Sequence, residues 1–120
     1  MKKLTDKEAA IMNVLWDNGE MSMRDLLDKM PEPQPNFNTL TTFVRRLEMN
    51  GMIKHRELGT RFFLYEAAMG RDKYVEAMNK ESVARFFNGS YKDFISCLVQ
   101  QQEVSIDDLK DLIRMAESAK

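Results

Sequence analysis

Residues 36–51 carry a helical pattern with one apolar side and one polar and basic side. At about 100° per residue, the positions opposite the apolar side or flanking it are Asn38, Thr39, Thr42, Arg45, Arg46 and Met49. Asparagine and threonine hydrogen-bond to base edges, and arginine binds guanine or phosphate, when such a helix lies in a major groove. The helix has one acidic residue, Glu48. The pattern indicates either a helix that contacts DNA or a surface helix that is merely poor in acid.

Two shorter helices precede this one. Thr5 opens a capping-box pattern, and the helix that follows ends at Gly19. After a short extended piece, Ser22 caps a second helix, and the proline-rich residues 31–35 form a loop because proline interrupts a helix. The DNA-contact candidate is therefore the third helix, and Asn36 is its predicted cap.

After Gly51 the hydrophobic period falls from about 3.6 to about 2, which predicts two strands over residues 52–57 and 61–66. Gly59, in the connection, supplies the positive φ that a tight turn commonly needs. Three helices followed by a hairpin is the order of a winged helix-turn-helix, with Arg61 near the tip of the wing. The predicted fold class is therefore mainly α with a small β-hairpin wing.

The charge of the chain is unevenly distributed. A net charge of −1 over 120 residues argues weakly against the binding of nucleic acid. Between Asn36 and Tyr65, however, two acidic residues, Glu48 and Glu57, stand against five basic ones, which are Arg45, Arg46, Lys54, Arg56 and Arg61. A local basic patch supplies phosphate contacts, so the local balance matters more than the total.

Residues 70–120 carry three helical patterns with apolar stripes, one over residues 71–87 and two that open at Ser90 and Ser105. About fifty residues are marginal for an independent core. Pairing with the same stripes of a second subunit would bury them; the alternative is that they fold back on the first domain. We expect a winged helix-turn-helix domain over residues 1–69 and a three-helix dimerisation region over residues 70–120.

The sequence lacks the motifs of enzymes, cofactor sites and membrane proteins. It has no glycine-rich phosphate loop and no nucleophile elbow. Its one histidine, His55, and one cysteine, Cys97, have no partners at metal-ligand spacing. No apolar run approaches the roughly 18 residues of a membrane span, and residues 1–6 lack the apolar segment of an export signal. We expect a cytoplasmic, non-enzymatic protein without cofactor, bound metal or membrane contact, in which His55 faces solvent or phosphate.

The ordered series of motifs resembles the penicillinase repressor family (BlaI/MecI type) along nearly the whole chain. The motifs are Leu4-Thr-x-x-Glu8, Met12-x-x-Leu15-Trp16, Asn38-Thr39-x-x-Thr42-x-x-x-Arg46-Leu47-x-x-x-Gly51, Tyr65, Phe86-x-Asn88-Gly89 and Ser105-x-x-x-Leu109. Winged helices share many of these pieces, but the complete series is more specific. Such proteins are dimeric winged-helix repressors of β-lactamase and related resistance genes. The resemblance therefore implies a homodimer that binds an inverted-repeat operator in double-stranded DNA.

The resemblance also implies roles for particular residues. Pattern and resemblance together make the DNA-binding candidates Asn38, Thr39, Thr42, Arg45, Arg46 and Arg61. Asn38 stands where relatives carry a lysine. In the family, a signalling protease relieves repression by cutting between an asparagine and a phenylalanine in the second C-terminal helix. The corresponding positions here are Cys97 and Leu98.

Two other functions fit the same pattern. The winged helix could be a protein-interaction module whose third helix docks a partner protein, or a regulator that responds to a small molecule, although the sequence shows no effector pocket. Salt dependence separates the first alternative from DNA binding, because phosphate contacts impose a steep loss of affinity with salt.

Overall fold

The structure, a computed structural model, describes residues 3–119. In chain order its elements are α1 (Asp6–Asn18), α2 (Met23–Lys29), α3 (Phe37–Met49), β1 (Ile53–Glu57), β2 (Phe63–Ala67), α4 (Arg71–Phe86), α5 (Tyr91–Gln100) and α6 (Ile106–Ser118). This order confirms the predicted mainly α fold with a β-hairpin wing. Within the described range, no helix combines the length and apolar character needed to cross a bilayer. The prediction that residues 1–6 carry no export signal includes Met1 and Lys2, which lie outside the described residues.

Side chains at the helix ends fix where the first three helices begin and end. The Glu8 amide donates to Thr5 Oγ1 at 3.2 Å, and the Thr5 amide donates to the Glu8 carboxylate at 2.9 Å, which completes the predicted capping box. Ser22 and Asn36 cap α2 and α3 by accepting from the amide three residues on. Gly19 ends α1 at φ 82°, a conformation that disfavours a Cβ.

The hydrophobic core lies between α1, α2, α3 and the start of the hairpin. Its buried side chains are Ile11, Met12, Val14, Leu15, Met21, Leu26, Met30, Leu40, Val44, Leu47, Met52 and Ile53. Leu40, Val44 and Leu47 recur at helical spacing and are fully buried. Because they hold one side of α3 against the core, the opposite side faces outward.

The hairpin is antiparallel, and Glu57 pairs with Phe63 at its end. Met21 pairs with Tyr65 of β2, so the extended piece between α1 and α2 adds a short bridge to the sheet. The second strand begins two residues later than residue 61, where the sequence pattern predicts its start. Residues 58–62 therefore form the turn, in which two residues adopt positive φ instead of the single glycine that the sequence suggests.

The first turns of α4 pack against α1. The Trp16 indole donates from Nε1 to the Met69 carbonyl at 2.9 Å. The Tyr74 ring lies 5.9 Å from the Trp16 ring, and the Arg71 guanidinium lies 5.3 Å from its centroid. These contacts attach the beginning of α4 to the winged domain.

The chain consists of two compact units, Met1–Ala77 and Met78–Lys120. The boundary predicted from the sequence, after residue 69, lies just before α4. The boundary in the structure lies inside α4, because the first turns of α4 pack on α1. In the second unit Val83 is fully buried. No described residue of α5 or α6 is buried. The second unit therefore has very little core of its own.

Replacement of the α3 cap tests how much this local contact stabilises the fold. We expect Asn36→Ala to lower the free energy of unfolding by about 1 kcal/mol, because the Thr39 amide loses an acceptor 2.8 Å away. Asn38→Ala is the matched control, since Asn38 lies in the same helix and is exposed, and its side chain caps no helix end. Chemical denaturation measures both variants. Equal stabilities would contradict this role for Asn36.

Candidate nucleic-acid interface

The outer face of α3 is a continuous strip of exposed side chains. The buried Leu40, Val44 and Leu47 orient it away from the core. Its exposed members are Asn38, Thr39, Thr42, Arg45, Arg46 and Met49. The structure thus brings together, on one helix face, every candidate residue except Arg61, which lies in the turn of the wing.

The polar residues of this face keep hydrogen-bonding capacity for an outside partner. Thr42 Oγ1 donates to the Asn38 carbonyl at 3.0 Å, so the oxygen lone pairs and the methyl group of Thr42 remain available. The Asn38 side-chain amide has no hydrogen-bond partner in the part of the chain that the structure describes. It can both donate and accept, as pairing with an adenine edge requires.

Arg45, Arg46 and Arg61 have no carboxylate within ion-pair distance among residues 3–119. The Arg46 guanidinium instead lies 5.6 Å from the centroid of the Phe43 ring. Stacking on an aromatic face leaves the edge N–H donors of a guanidinium available. These three arginines therefore present donors that suit a phosphate or a guanine edge.

Two of the five basic residues counted in the sequence are paired with acids. Arg56 donates to Glu20 at 2.8 and 2.9 Å. This hydrogen bonding lowers the pKa of Glu20 and raises the pKa of Arg56. Lys54 Nζ lies 3.4 Å from Glu66 across the hairpin. Both carboxylates fall outside the range over which the sequence charges were counted, so the free positive patch is narrower than the sequence suggests.

Arg61 lies at the tip of the wing, exposed and in the left-handed region at φ 60°. Its backbone amide donates to the Glu57 carboxylate at 2.9 Å. The Glu57 carboxylate thus binds the backbone and helps to hold this turn. The wing contributes one unpaired cation to the surface, and α3 contributes two.

A contact between α3 and the wing was not predicted from the sequence. Glu48 Oε2 lies 2.5 Å from His55 Nδ1, and the His55 ring packs 5.5 and 5.6 Å from the rings of Tyr65 and Phe63. Burial raises the pKa of Tyr65, and the Glu48 carboxylate adds to this shift while Arg45 opposes it. His55 lies on a strand and is exposed, as expected, and it also engages the one acidic side chain of α3. No spacing rule links these helix and strand positions.

Cys97 and Leu98 are half-buried within α5. Cys97 Sγ accepts a hydrogen bond from Gln101 Nε2 at 3.3 Å. Across residues 3–119, no three histidine, cysteine, aspartate or glutamate side chains are grouped to hold a metal ion.

Comparison with known sequences assigns the chain to a family. The penicillinase repressor family matches residues 4–118. The penicillinase repressor of Bacillus licheniformis is 23% identical over 124 residues, which cover 100% of this chain and 96% of that protein. An uncharacterized 16.5 kDa protein from the ptsI 3′ region of Latilactobacillus sakei is 28% identical over 114 residues, which cover 92% of this chain and 75% of that protein.

Solved structures confirm the winged-helix fold. Monomeric B. licheniformis BlaI in complex with the blaP half-operator superposes with a TM-score of 0.52 at 22% identity, over 61% of this chain and 89% of that one. MepR, a transcription regulator of the Staphylococcus aureus multidrug efflux pump MepA, superposes with a TM-score of 0.56 at 17% identity, over 98% of this chain and 82% of that one. Since the family match extends from residue 4 to residue 118, the chain belongs to the penicillinase repressor family of DNA-binding, non-enzymatic transcriptional repressors.

Proposed function

We propose that this repressor acts as a homodimer on an inverted-repeat operator, with α3 of each subunit in a major groove. The observation that carries the proposal is the outer face of α3. There, Asn38 and Thr42 lie beside Arg45 and Arg46, which have no acidic partners among the described residues. Recognition helices of this class of fold present such a face to base edges.

Asn38 and Thr42 are the proposed base-reading residues. Asparagine pairs with adenine through two hydrogen bonds, and threonine offers a hydroxyl to a base edge and a methyl group to thymine. Thr39 lies on the flank of this face and Arg45 at its centre, where a guanidinium would reach a guanine edge or a phosphate. Discrimination between DNA sequences would come from this group.

Arg46 and Arg61 are the proposed phosphate contacts. Arg46 stacks on Phe43 at the edge of the helix face, and Arg61 lies at the tip of the wing. Contacts to the phosphate backbone fix the position of a protein on the duplex without selecting a sequence. These two arginines would therefore contribute similarly to operator and random DNA.

The second unit is the proposed dimer contact. Its α6 carries an apolar stripe at helical spacing, in which Leu112 is 51% and Ile113 is 57% exposed. Adjacent large apolar side chains exposed to this degree mark association sites. With no described residue of α5 or α6 buried, the unit would complete its core by pairing. A second copy is the natural partner, because identical stripes are self-complementary about a two-fold axis.

We further propose that the regulated genes encode a β-lactamase or another antibiotic-resistance function. This rests on the B. licheniformis relative, a penicillinase repressor that matches the whole length of this chain. A repressor acts where the DNA is, so the proposed location is the cytoplasm.

Selection of genomic fragments by the purified full-length protein tests the proposal. The expected result is a set of fragments that share an inverted repeat, with an affinity that falls steeply as salt rises, because phosphate contacts release counterions. Binding without sequence preference and without salt dependence would contradict it. That outcome would favour the alternative in which α3 docks a partner protein.

Relief of repression gives a separate prediction about Cys97 and Leu98. By the family resemblance, we expect the bond that joins them to be the counterpart of the one that the signalling protease cuts in relatives, where it joins asparagine to phenylalanine. We expect that protease to leave this chain intact, because both of the side chains that it would recognise are changed. Mass spectrometry of the intact protein after incubation measures the result. A single cut between Cys97 and Leu98 would show that the protease tolerates the change.

A further inference from the structure

A groove that we term the wing groove lies in the first unit between the starts of α2 and α3 and the wing. Its volume is about 420 Å³, and its lining residues include Arg24, Phe37, Thr41, Arg61, Phe62 and Phe63. Small-molecule sites in proteins commonly occupy roughly 300–1,000 Å³. The wing groove is therefore large enough for a compact organic molecule.

The wing groove is cationic. Arg24 and Arg61 line it, no aspartate or glutamate does, and neither arginine has an ion-pair partner within residues 3–119. Tyr65 also lines the groove. Two guanidinium groups that form no ion pair among the described residues favour an anion that accepts several hydrogen bonds, such as a carboxylate.

The wing groove is also aromatic. Phe37, Phe62 and Phe63 are 42%, 48% and 38% exposed. The Arg24 guanidinium lies 5.5 Å from the centroid of the Phe37 ring, so a cation and an aromatic face already lie together. Exposed phenylalanines offer apolar area and ring faces but no hydrogen bonds. They favour a ligand whose body is planar and apolar.

We propose that the wing groove binds a small aromatic carboxylate of one or two rings. The carboxylate pairs with Arg24 and Arg61, and the rings pack on Phe37 and Phe62. A DNA phosphate would use the same arginines, but the sugar-phosphate backbone brings no planar ring to the phenylalanines. The combination of both features in one groove favours the aromatic acid.

Binding of such an acid would weaken the binding of DNA. This consequence rests on the proposed function, but the binding of the acid to the wing groove does not. Arg61 is a proposed phosphate contact, and Phe37 and Thr41 belong to α3. A carboxylate on Arg61 would therefore compete with the DNA backbone. The aromatic acid would act as an effector that relieves repression without cleavage of the chain.

Calorimetric titration of the full-length protein with 2-naphthoate, without DNA, tests the site. We expect saturable binding that Arg24→Gln weakens by about tenfold or more, because one charge-assisted pair is lost. The neutral analogue 2-naphthamide should bind more weakly by a similar factor. Leu58→Ala is the matched control, since Leu58 is 48% exposed in the same wing but does not line the groove, and it should leave binding unchanged.

The outcomes separate this proposal from the proposed function. Absence of saturable binding at millimolar 2-naphthoate, or binding that Arg24→Gln leaves unchanged, would overturn the proposal. Weaker DNA binding by Arg24→Gln without any naphthoate binding would also overturn it and assign the groove to the DNA backbone. Naphthoate binding by a protein that selects no operator would support the ligand site and count against the proposed function alone.

Discussion

Replacement of Ile113 by aspartate should convert the protein to a monomer and lower its affinity for the full operator by roughly two to four orders of magnitude. Ile113 is 57% exposed on the apolar stripe of α6, so the isolated chain should tolerate a carboxylate there. In a dimer the same carboxylate would be buried without a partner, which is strongly unfavourable. Without the dimer, the two half-sites no longer bind as one unit.

Met115→Asp is the matched control for this substitution. Met115 is 65% exposed on the same helix as Ile113 but lies off the stripe, so the variant should remain dimeric. Light scattering measures the oligomeric state, and fluorescence anisotropy measures affinity for full and half operators. Half-operator affinity should be the same in all three proteins. A wild-type protein that is monomeric at micromolar concentration, or an Ile113→Asp variant that stays dimeric, would show that this stripe is not the dimer contact.

Substitution is a sharper test than deletion because the first turns of α4 belong structurally to the winged domain. Deletion from residue 71 onward would remove Arg71 and Tyr74, which contact Trp16. Any loss of DNA affinity would then mix two causes, loss of the dimer and damage to the first unit. A truncation after Ala77 would retain these contacts.

The features that the sequence predicts well are those set by residues close together in the chain. The helix caps at Thr5, Asn36 and Ser105 each join a side chain to an amide three residues away. The outer face of α3 is equally local, since burial of residues at helical spacing fixes the opposite side. Secondary structure and the exposed strip follow from such short-range rules.

The features that the sequence does not predict depend on how separate elements pack. Arg56 and its partner Glu20 are 36 positions apart. A count of charges over a short range of the chain therefore includes Arg56 as a free cation although it is already paired. The wing groove has the same origin, because its two arginines come from α2 and the hairpin turn. Neither the ion pair between Arg56 and Glu20 nor the formation of the wing groove produces a periodic pattern in the sequence.

Base reading and phosphate contact should separate when Thr42 and Arg61 are replaced in turn. Thr42→Ala should lower discrimination between operator and random DNA by about 1–3 kcal/mol, the usual value of a base-edge contact. The Thr42 hydroxyl is anchored to the Asn38 carbonyl at 3.0 Å, which holds its methyl group and lone pairs in fixed positions. Alanine lacks both the hydroxyl and the γ-methyl group of threonine. The affinity of the variant for random DNA should not change.

Thr41→Ala is the neighbouring control. The Thr41 hydroxyl donates to the Phe37 carbonyl at 2.9 Å, just as that of Thr42 donates to Asn38, but Thr41 lies on the side of α3 and is half-buried. It should leave sequence discrimination intact. Equal losses on operator and random DNA from Thr42→Ala would remove Thr42 from the base-reading residues.

Arg61→Ala should weaken binding to operator and random DNA by a similar factor, because a phosphate contact carries no sequence information. The slope of log affinity against log salt should become shallower by about 1, as expected for one lost phosphate contact. Arg61→Lys keeps the charge and should restore most of that slope. Titrations of both DNAs at several salt concentrations measure the two quantities together. If Arg61→Ala instead reduced operator affinity alone and left the salt slope unchanged, the wing would be reading bases, and the division of roles between α3 and the wing would be wrong.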